Sequence, residues 1–278
     1  MREENRLYCS SDIDHEIDRK IAKRSKEPRV KDKDLFEVVE EVFDRATVLA
    51  IIELKRRKCL KLLKGVVSAG KEARVYWGKG FDGSDLAVKI YLTATAEFKK
   101  GIWKYIQGDP RYEWVASLPS HKLMSVWARK EFSNLKRIHS IGVNAPEPIC
   151  VYRNVLTMKF IGENGVRAPL LKEVYEVGEL EEDVAEEIFK KLIEVVYRLY
   201  WNAELVHGDL SEYNVMLFRG EPYIIDVSQA ITLNHPNSLS FLYRDVGNLV
   251  RFFRDEVGVE VPSVEEIVDR ILNKRLNL

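Results

Sequence analysis

The segment LVHGDLSEYNVML, residues 205–217, constrains this chain more than any other stretch, because it sets His, Asp, Ser, Glu and Asn between two apolar flanks. Asp209 and Asn214 lie within it, and twelve residues after Asn214 the apolar run YII ends at Asp226. A single loop Asp is most often a turn or cap residue. Together, however, these side chains offer the hard oxygen ligands that Mg²⁺ or Mn²⁺ prefers. The spacing predicts phosphoryl transfer, in which one carboxylate accepts or orients the attacking hydroxyl while an Asn and an Asp hold the metal.

Two upstream segments supply partners for such a reaction. SAGKEARVYWG carries Ser68, Gly70 and Ala73 at the spacing of G-x-G-x-x-G, with only the middle Gly kept, and small residues let a backbone approach phosphates closely. The apolar strand LAVKIY carries Lys89, which is costly to bury unless it is paired. Glu131 in WARKEFSNLKR is the best candidate partner, although it could also be an exposed helix glutamate.

Composition and charge limit the class of protein. The chain has 44 basic and 44 acidic residues, and this balance argues against wholesale coating of nucleic acid, though not against a local basic patch. The cations between Lys55 and Lys64 favour a solvated helix end, with a phosphate-backbone contact as the alternative. The three scattered cysteines, Cys9, Cys59 and Cys150, predict neither a disulfide framework nor a zinc site. The polar start has no signal-peptide pattern and the longest apolar run is TVLAII, so we expect a soluble, cytoplasmic protein with no membrane segment.

The apolar pattern along the chain predicts an α+β fold. Residues 1–34 suggest a charged leader, and apolar positions predict a helix over 34–64. Strands follow, then a long loop over 92–123, a helix capped by Ser125, and two strands with a turn at Arg153. A long helix over 179–202 has an apolar face of Val184, Ile188, Leu192, Val195 and Leu199, and the tail is helical. We therefore expect an N-terminal charged, helical extension at 1–64, a β-rich lobe at 65–161 and a helical lobe at 162–278.

These residues resemble a protein kinase, and more narrowly the RIO family of atypical serine/threonine protein kinases. The matching segments are SAGKEARVY, LAVKIY, KEFSNLKR, TMKFIGENG, LVHGDLSEYNVML and IIDVSQA, which run in the family's order over about two thirds of the chain. IIDVSQA is similar to the RIO-one subfamily. The resemblance implies a two-lobed protein-kinase-like fold, with a β-rich N-lobe, a truncated helical C-lobe and extra N-terminal helices.

The resemblance also implies the role of each site residue. Asp209 matches the catalytic base, Asn214 and Asp226 the metal ligands, and Lys89 with Glu131 the ion pair at the ATP phosphates. The remaining ATP-binding positions are the phosphate-loop residues Ser68 and Lys71, the gatekeeper Met158, the C=O of Lys159 and the N–H of Ile161 against adenine. Asp226 is further implied as an aspartyl-phosphate acceptor, which would make the chain an ATPase.

Two departures from ordinary protein kinases qualify the expected substrate. Gly208 stands where regulated kinases have an Arg between His and Asp, so control by activation-loop phosphorylation is not expected. Only 52 residues follow Asp226, without Ala-Pro-Glu, which leaves little chain for a peptide-binding platform. Ala69 replaces the usual Thr, and Arg74 stands where Asn is common.

Three functions follow from this sequence. The first is a RIO-type kinase or ATPase that uses ATP with Mg²⁺ or Mn²⁺ and acts on the maturing small ribosomal subunit, a role implied by the resemblance alone. The second is a small-molecule phosphotransferase of the aminoglycoside or choline type, which also carries H-G-D-x₄-N but needs substrate-binding helices. The third is an inactive nucleotide-binding scaffold, whose signature would be loss of Lys89, Asp209 or Asp226, and all three are present.

Overall fold

The apolar, β-branched strand DLAVKIY lies at the centre of the fold, because nearly every one of its side chains is buried. The computed structural model describes residues 43–92, 101–109, 112, 115, 118 and 120–275. Contacts group the chain into two units, Met1–Arg45 and Ala46–Leu278, and the description below concerns the second. The predictions for the leader at 1–34 and for Cys9 lie outside the described residues.

A five-stranded antiparallel sheet forms the N-terminal part, with strand order β1-β2-β3-β5-β4. Its strands, numbered in chain order, are β1 Leu62–Ala69, β2 Ala73–Lys79, β3 Asp85–Tyr91, β4 Pro148–Tyr152 and β5 Val155–Lys159. The turn between β2 and β3 has Gly83 at φ +82, a left-handed conformation that favours glycine. The predicted turn at Arg153 joins β4 to β5.

The register of this sheet places the residues that face the cleft. Lys89 on β3 pairs with Val75 on β2 and with Leu156 on β5. Met158 on β5 pairs with Ala87 on β3. Because alternate residues of a strand share a face, Lys89 and Ala87 point to the same side of the sheet.

Two helices flank the sheet in sequence, and both differ from their predicted limits. Helix α1 is Arg45–Arg56 and the chain enters β1 at Leu62, so the predicted helix over 34–64 is wrong for residues 43–44 and 57–64, while residues 34–42 lie outside the described residues. Helix α2 is Ser120–Ser140 and packs on β4 and β5. It begins five residues before Ser125, the predicted cap. Leu123 and Met124 in its first turns are buried, and this packing explains the longer helix.

The C-terminal part is mainly helical, as predicted. Its helices are α3 Leu171–Glu176, α4 Glu182–Asn202, α5 Ser238–Val250 and α6 Val264–Leu272, with a π-helical segment Arg251–Val257 continuing α5. Short antiparallel pairs complete it: β6 Gly162–Glu163 with β7 Val166–Arg167, β8 Leu205–Val206 with β11 Ile231–Thr232, and β9 Val215–Phe218 with β10 Glu221–Ile224. Helix α4 buries the predicted face, except that Val184 is exposed. Among the described residues, no helix is long and apolar enough to cross a membrane.

Cys59 and Cys150 form a disulfide, which corrects the expectation of unpaired cysteines. Cys59 follows α1 and Cys150 lies in β4, with 91 positions between them in sequence and 6.0 Å between their Cα atoms. The fold brings them together because β4 forms the edge of the sheet beside the segment that leaves α1. Sequence spacing alone carries no such information, since connectivity depends on the fold.

Candidate active site

A cleft of about 350 Å³ lies between the sheet and the helical part. It is lined by nine residues that the sequence singled out: Ser68, Lys71, Lys89, Glu131, Met158, Lys159, Ile161, Asn214 and Asp226. Its size and mixed apolar and charged lining suit a nucleotide-sized ligand. Asp209 is not part of this lining; it is half-buried on the loop that leads to Asn214.

An ion-paired centre sits at the inner end of the cleft. The Lys89 Nζ donates to Glu131 Oε1 and to Asp226 Oδ1, both at 2.9 Å. The hydroxyl of Tyr91, which is also buried, donates to Glu131 Oε2. Strand β3, helix α2 and the segment after β10 thus meet at one lysine, and this joins the two parts of the fold at the site.

The charges of this centre stabilise each other. Burial opposes the charge of Lys89, but Asp226 and Glu131 outweigh it and raise the Lys89 pKa well above its ordinary value. Burial likewise opposes ionisation of Asp226, but Lys89 and the Ser228 hydroxyl hold the pKa of Asp226 below its ordinary value. Lys89 is therefore cationic and Asp226 anionic at neutral pH.

Asp226 and Asn214 each present an oxygen to the cleft. Asp226 Oδ1 is held by Lys89 and by the Ser228 hydroxyl at 2.8 Å, whereas Oδ2 accepts no hydrogen bond from the described residues. The Asn214 Nδ2 donates to the Asp209 carbonyl at 2.8 Å, so Oδ1 is the atom left for a ligand. Two hard oxygen atoms beside a phosphate-sized space fit Mg²⁺, which binds through one or two protein oxygens plus substrate phosphates.

The loop that carries Asp209, residues 207–214, is fixed through its backbone. The carboxylate of buried Asp245 accepts from the N–H of Gly208 at 2.7 Å and of Leu210 at 3.0 Å, on either side of Asp209. Gly208 has φ +79, and a Cβ there would lie 3.2 Å from the Gln229 carbonyl oxygen. This left-handed, crowded position explains why glycine stands where other kinases have arginine.

The carboxylate of Asp209 is held less tightly than that of Asp226. Its hydrogen bond from Asn214 Nδ2 is long, at 3.5 Å. The pKa of Asp209 is raised, mainly by burial and also by the negative charge of Asp226. The positive charges of Arg244 and Lys104 oppose this shift. A half-buried carboxylate with a raised pKa beside Asn214 is a suitable proton acceptor.

The other end of the cleft is apolar. Val75, Ala87, Leu135, Met158 and Met216 line it. The carbonyl of Ile161 accepts from the Ala168 N–H at 2.9 Å and is therefore occupied. This leaves the N–H as the group of Ile161 that an adenine edge would use, in line with the expectation from sequence.

Several functional candidates were missed by the sequence analysis. Glu72 lines the cleft; its partial burial, followed by the nearby charge of Asp226, raises its pKa. Tyr91 and Asp245 hold Glu131 and the loop that carries Asp209, respectively. For Tyr91 a signal existed, because it follows Lys89 by two positions and so shares its face of β3.

The basic run after α1 is partly neutralised. Glu53 accepts hydrogen bonds from both Arg56 and Arg57, at 2.7 Å each. This supports the simpler interpretation of that run, a solvated helix end.

Comparison with known proteins places this fold and site in a family. The family model described as the RIO domain matches residues 74–267. The chain belongs to the RIO family of atypical serine/threonine protein kinases. Over 256 residues it is 41% identical to the serine/threonine-protein kinase RIO1 of Caenorhabditis elegans. The aligned region covers 90% of this chain and 49% of that protein. The resemblance drawn from the sequence is thus confirmed.

Archaeal relatives match a larger share of their own length. The RIO-type serine/threonine-protein kinase Rio1 of Haloferax volcanii is 41% identical over 226 residues, covering 81% of this chain and 75% of that protein. Rio1 of Methanocaldococcus jannaschii is 38% identical over 251 residues, and the aligned region covers 90% of this chain and 82% of that protein. By contrast, the chain spans about half the length of the worm relative.

A solved structure supports the fold assignment. The Rio2 kinase from Chaetomium thermophilum, solved as an ADP/Mg²⁺-phosphoaspartate complex, superposes with a TM-score of 0.60 at 22% identity. The match covers 81% of this chain and 69% of that one. The two-lobed kinase-like fold expected from the sequence is confirmed.

Proposed function

We propose that the described cleft binds ATP and that the chain transfers its γ-phosphate. The observation that carries this is the position of Lys89 Nζ, 2.9 Å from both Glu131 Oε1 and Asp226 Oδ1, beside Asn214 and the phosphate loop. A lysine held by a helix glutamate next to oxygen ligands is the arrangement that protein kinases use for phosphoryl transfer.

Each residue has a task in this proposal. The adenine lies at the apolar end, against Met158 and the backbone of Lys159 and Ile161. Ser68 and Lys71 face the phosphates from the phosphate loop, and Lys89 neutralises their charge. We retain 65–161 and 162–278 as the proposed lobes, with the cleft between them, and 1–64 as the proposed extension.

Asn214 Oδ1 and Asp226 Oδ2 would hold the metal. Mg²⁺ or Mn²⁺, when bound, neutralises the negative charge that develops on the transferred phosphoryl group. Asp209 accepts the proton of the attacking hydroxyl, and the Asp245 carboxylate keeps the backbone of that loop in place while it does so.

A second route, ATP hydrolysis through a phosphorylated Asp226, also has support. The Rio2 kinase of Chaetomium thermophilum was solved as an ADP/Mg²⁺-phosphoaspartate complex. In this chain, Asp226 has one oxygen bound by Lys89 and Ser228 and one without a partner among the described residues. In this route the unbound oxygen bonds to the γ-phosphorus as the bond to ADP breaks, and water then releases phosphate and restores the carboxylate.

We further propose the cytoplasm as the location and a precursor of the small ribosomal subunit as the partner. Family membership supports both. Arg56 and Arg57 pair with Glu53, whereas Lys58 and Lys61 are exposed cations with no ion pair among the described residues. The Nζ of exposed Lys64 lies 4.0 Å from the centre of the Trp77 ring, and Lys58, Lys61 and Lys64 are the cations proposed for RNA. Sedimentation with purified precursor particles, with and without these three lysines, tests the contact.

The test of the proposed function uses Asp209→Asn and Asp226→Asn, with Asp183→Asn on an exposed helix position as the matched control. We expect radiolabel transfer from ATP to protein to fall about 100-fold or more in Asp209→Asn, since a positioned base contributes this much. A label that is sensitive to hydroxylamine and lost only in Asp226→Asn would establish the phosphoaspartate route. Equal transfer by all three variants would refute the proposal.

A further inference from the structure

Helix α2, which carries Glu131, reaches the segment that follows Asp226 with two other side chains. The Lys130 Nζ donates to the carbonyls of Ser228 and Ala230, both at 2.6 Å. The Asn134 Nδ2 donates to the carbonyls of Val227 at 2.9 Å and Ala230 at 3.1 Å. Three of the four residues after Asp226 thus have their carbonyls bound by one helix.

These contacts are entirely inside the protein. Lys130 and Asn134 are both 0% exposed, and the Lys130 ammonium also lies 5.0 Å from the centre of the Trp127 ring. Burying a charged group away from water is costly unless it is well bound. The hydrogen bonds to the segment offset part of that cost.

The segment needs such support because its first residue is held in an unfavourable conformation. Asp226 has φ +55, which side-chain-bearing residues rarely adopt. Such conformations persist only where the surroundings fix them. In addition, the Ser228 hydroxyl bonds to Asp226 Oδ1, so a shift of residues 227–230 would turn the Asp226 carboxylate.

Neither side chain belongs to the described lining of the cleft. Their hydrogen bonds described above reach the site through the segment that follows Asp226. Regulated kinases order this region through an arginine at the position of Gly208. That contact is absent here for a steric reason, and α2 supplies a permanent contact instead.

We propose that Lys130 and Asn134 are positioning residues that fasten residues 226–230 to α2, so that Glu131, Lys89 and the metal-facing oxygen of Asp226 move as one body. The clamp, meaning these two side chains and their four hydrogen bonds, rests on the metal role of Asp226 in the proposed function. It makes the active arrangement a property of the fold, without phosphorylation.

The clamp is tested with Lys130→Met and, as a milder change, Asn134→Ser. Lys136→Met, on the exposed face of the same helix, is the matched control. Calorimetric titration with ADP, first without metal and then with Mg²⁺, separates the nucleotide contacts from the metal contacts. We expect ADP affinity without metal to stay within about twofold, while the gain in affinity on adding Mg²⁺ shrinks about tenfold, the usual loss when a group supporting a ligand residue is removed.

A second measurement does not depend on metal or activity. Hydrogen exchange of the amides at 227–231 in metal-free protein should quicken at least about tenfold in both clamp variants and stay unchanged in Lys136→Met. Unchanged exchange in folded Asn134→Ser, or equal loss of affinity with and without Mg²⁺, would overturn the clamp. If Mg²⁺ fails to improve ADP binding in the wild-type protein, the metal role of Asp226 fails instead, and the exchange measurement still decides the clamp.

Discussion

The two acids of this cleft are held in opposite ways. Asp226 has its side chain fixed, by Lys89 and Ser228, and the segment behind it is bound to α2. Asp209 has its backbone fixed, by Asp245 through Gly208 and Leu210, while the hydrogen bond of its carboxylate within the described part of the chain is a long one, 3.5 Å from Asn214 Nδ2.

This difference fits two separate tasks. A metal ligand must be in place before the nucleotide arrives, because affinity for Mg²⁺ depends on near-ideal geometry. A base that takes a proton from an incoming hydroxyl needs a fixed position in the chain but some freedom in its side chain. On the proposed function, the nucleotide side of the site, formed by Lys89, Glu131 and Asp226, is built in advance, and the acceptor side at Asp209 is left adjustable.

Lys89→Met should disrupt the ion-paired centre around Asp226 and have the largest effect on turnover. We expect ATP turnover to fall about 100- to 1000-fold, because a buried cation at the phosphates is lost. We also expect a loss of about 3 kcal/mol in the free energy of unfolding, since Glu131 is left buried without its lysine. Steady-state kinetics and urea denaturation measure both, with exposed Lys61→Met as the control; wild-type turnover would contradict the pairing.

Asn214→Asp should separate the metal contact from the contact to Asp209, because Asn214 makes the second contact and is proposed to make the first. The new carboxylate keeps an oxygen for the metal but cannot donate to the Asp209 carbonyl. We expect Mg²⁺-dependent ADP affinity to be kept or improved while turnover falls about tenfold to 100-fold. Loss of Mg²⁺-dependent ADP affinity would contradict the metal role of the side-chain oxygen at position 214, and unchanged turnover would contradict the role of the hydrogen bond to the Asp209 carbonyl.

Tyr91→Phe should weaken the ion-paired centre around Lys89 and Glu131 without disrupting it. It removes the hydroxyl that donates to Glu131 Oε2 and keeps the ring in the core. A hydrogen bond to a charged group contributes about 1.5–3 kcal/mol, so we expect lower stability and a threefold to roughly tenfold rise in the KM for ATP. No change in either thermal unfolding or KM would show that Glu131 is held adequately by Lys89 alone.

The smallest effect on turnover should come from the pH response of Asp245. Burial raises its pKa to about 7, although the N–H groups of Gly208 and Leu210 favour the anion. Because the folded-state pKa lies above the ordinary value of 3.8, the stability that Asp245 contributes is present below about pH 4 and is lost as pH rises through about 7. We expect turnover to rise about twofold to threefold over the same upper range, as the anion comes to accept both N–H groups.

Urea denaturation at pH 5 and pH 8 measures this response. The wild-type protein should lose about 2 kcal/mol from this group between the two pH values. Asp245→Asn should lack that component, and Asp183→Asn should keep it. If the free energies of unfolding of the wild type and of Asp245→Asn changed in parallel between pH 5 and pH 8, Asp245 would not titrate in that range.

Sequence reasoning found the residues whose chemistry and spacing are both distinctive. Lys89 stands out as a cation in an apolar strand, and Asp209, Asn214 and Asp226 as oxygen ligands at the ends of short strands. The structure brings Lys89, Asn214 and Asp226 together in one cleft, with Asp209 on the loop that leads to Asn214. The RIO resemblance then fixed the two-lobed fold, and the structural match agrees.

The remainder depends on contacts that leave no residue pattern. Lys130 and Asn134 bind backbone carbonyls, and any residue can supply a carbonyl. Cys59 and Cys150 meet only because β4 is the edge strand. The start of β1 at Leu62 was missed because a short apolar run fits helix and strand equally well until it is paired.

A crystal structure with a non-hydrolysable ATP analogue and Mg²⁺ tests the division between the two acids most directly. The account predicts Asn214 Oδ1 and Asp226 Oδ2 at about 2.1 Å from the metal. It also predicts the Asp209 carboxylate outside the coordination shell, facing the γ-phosphate. Asp209 bound to the metal, or Asp226 turned away from it with Lys130 and Asn134 still in place, would contradict it.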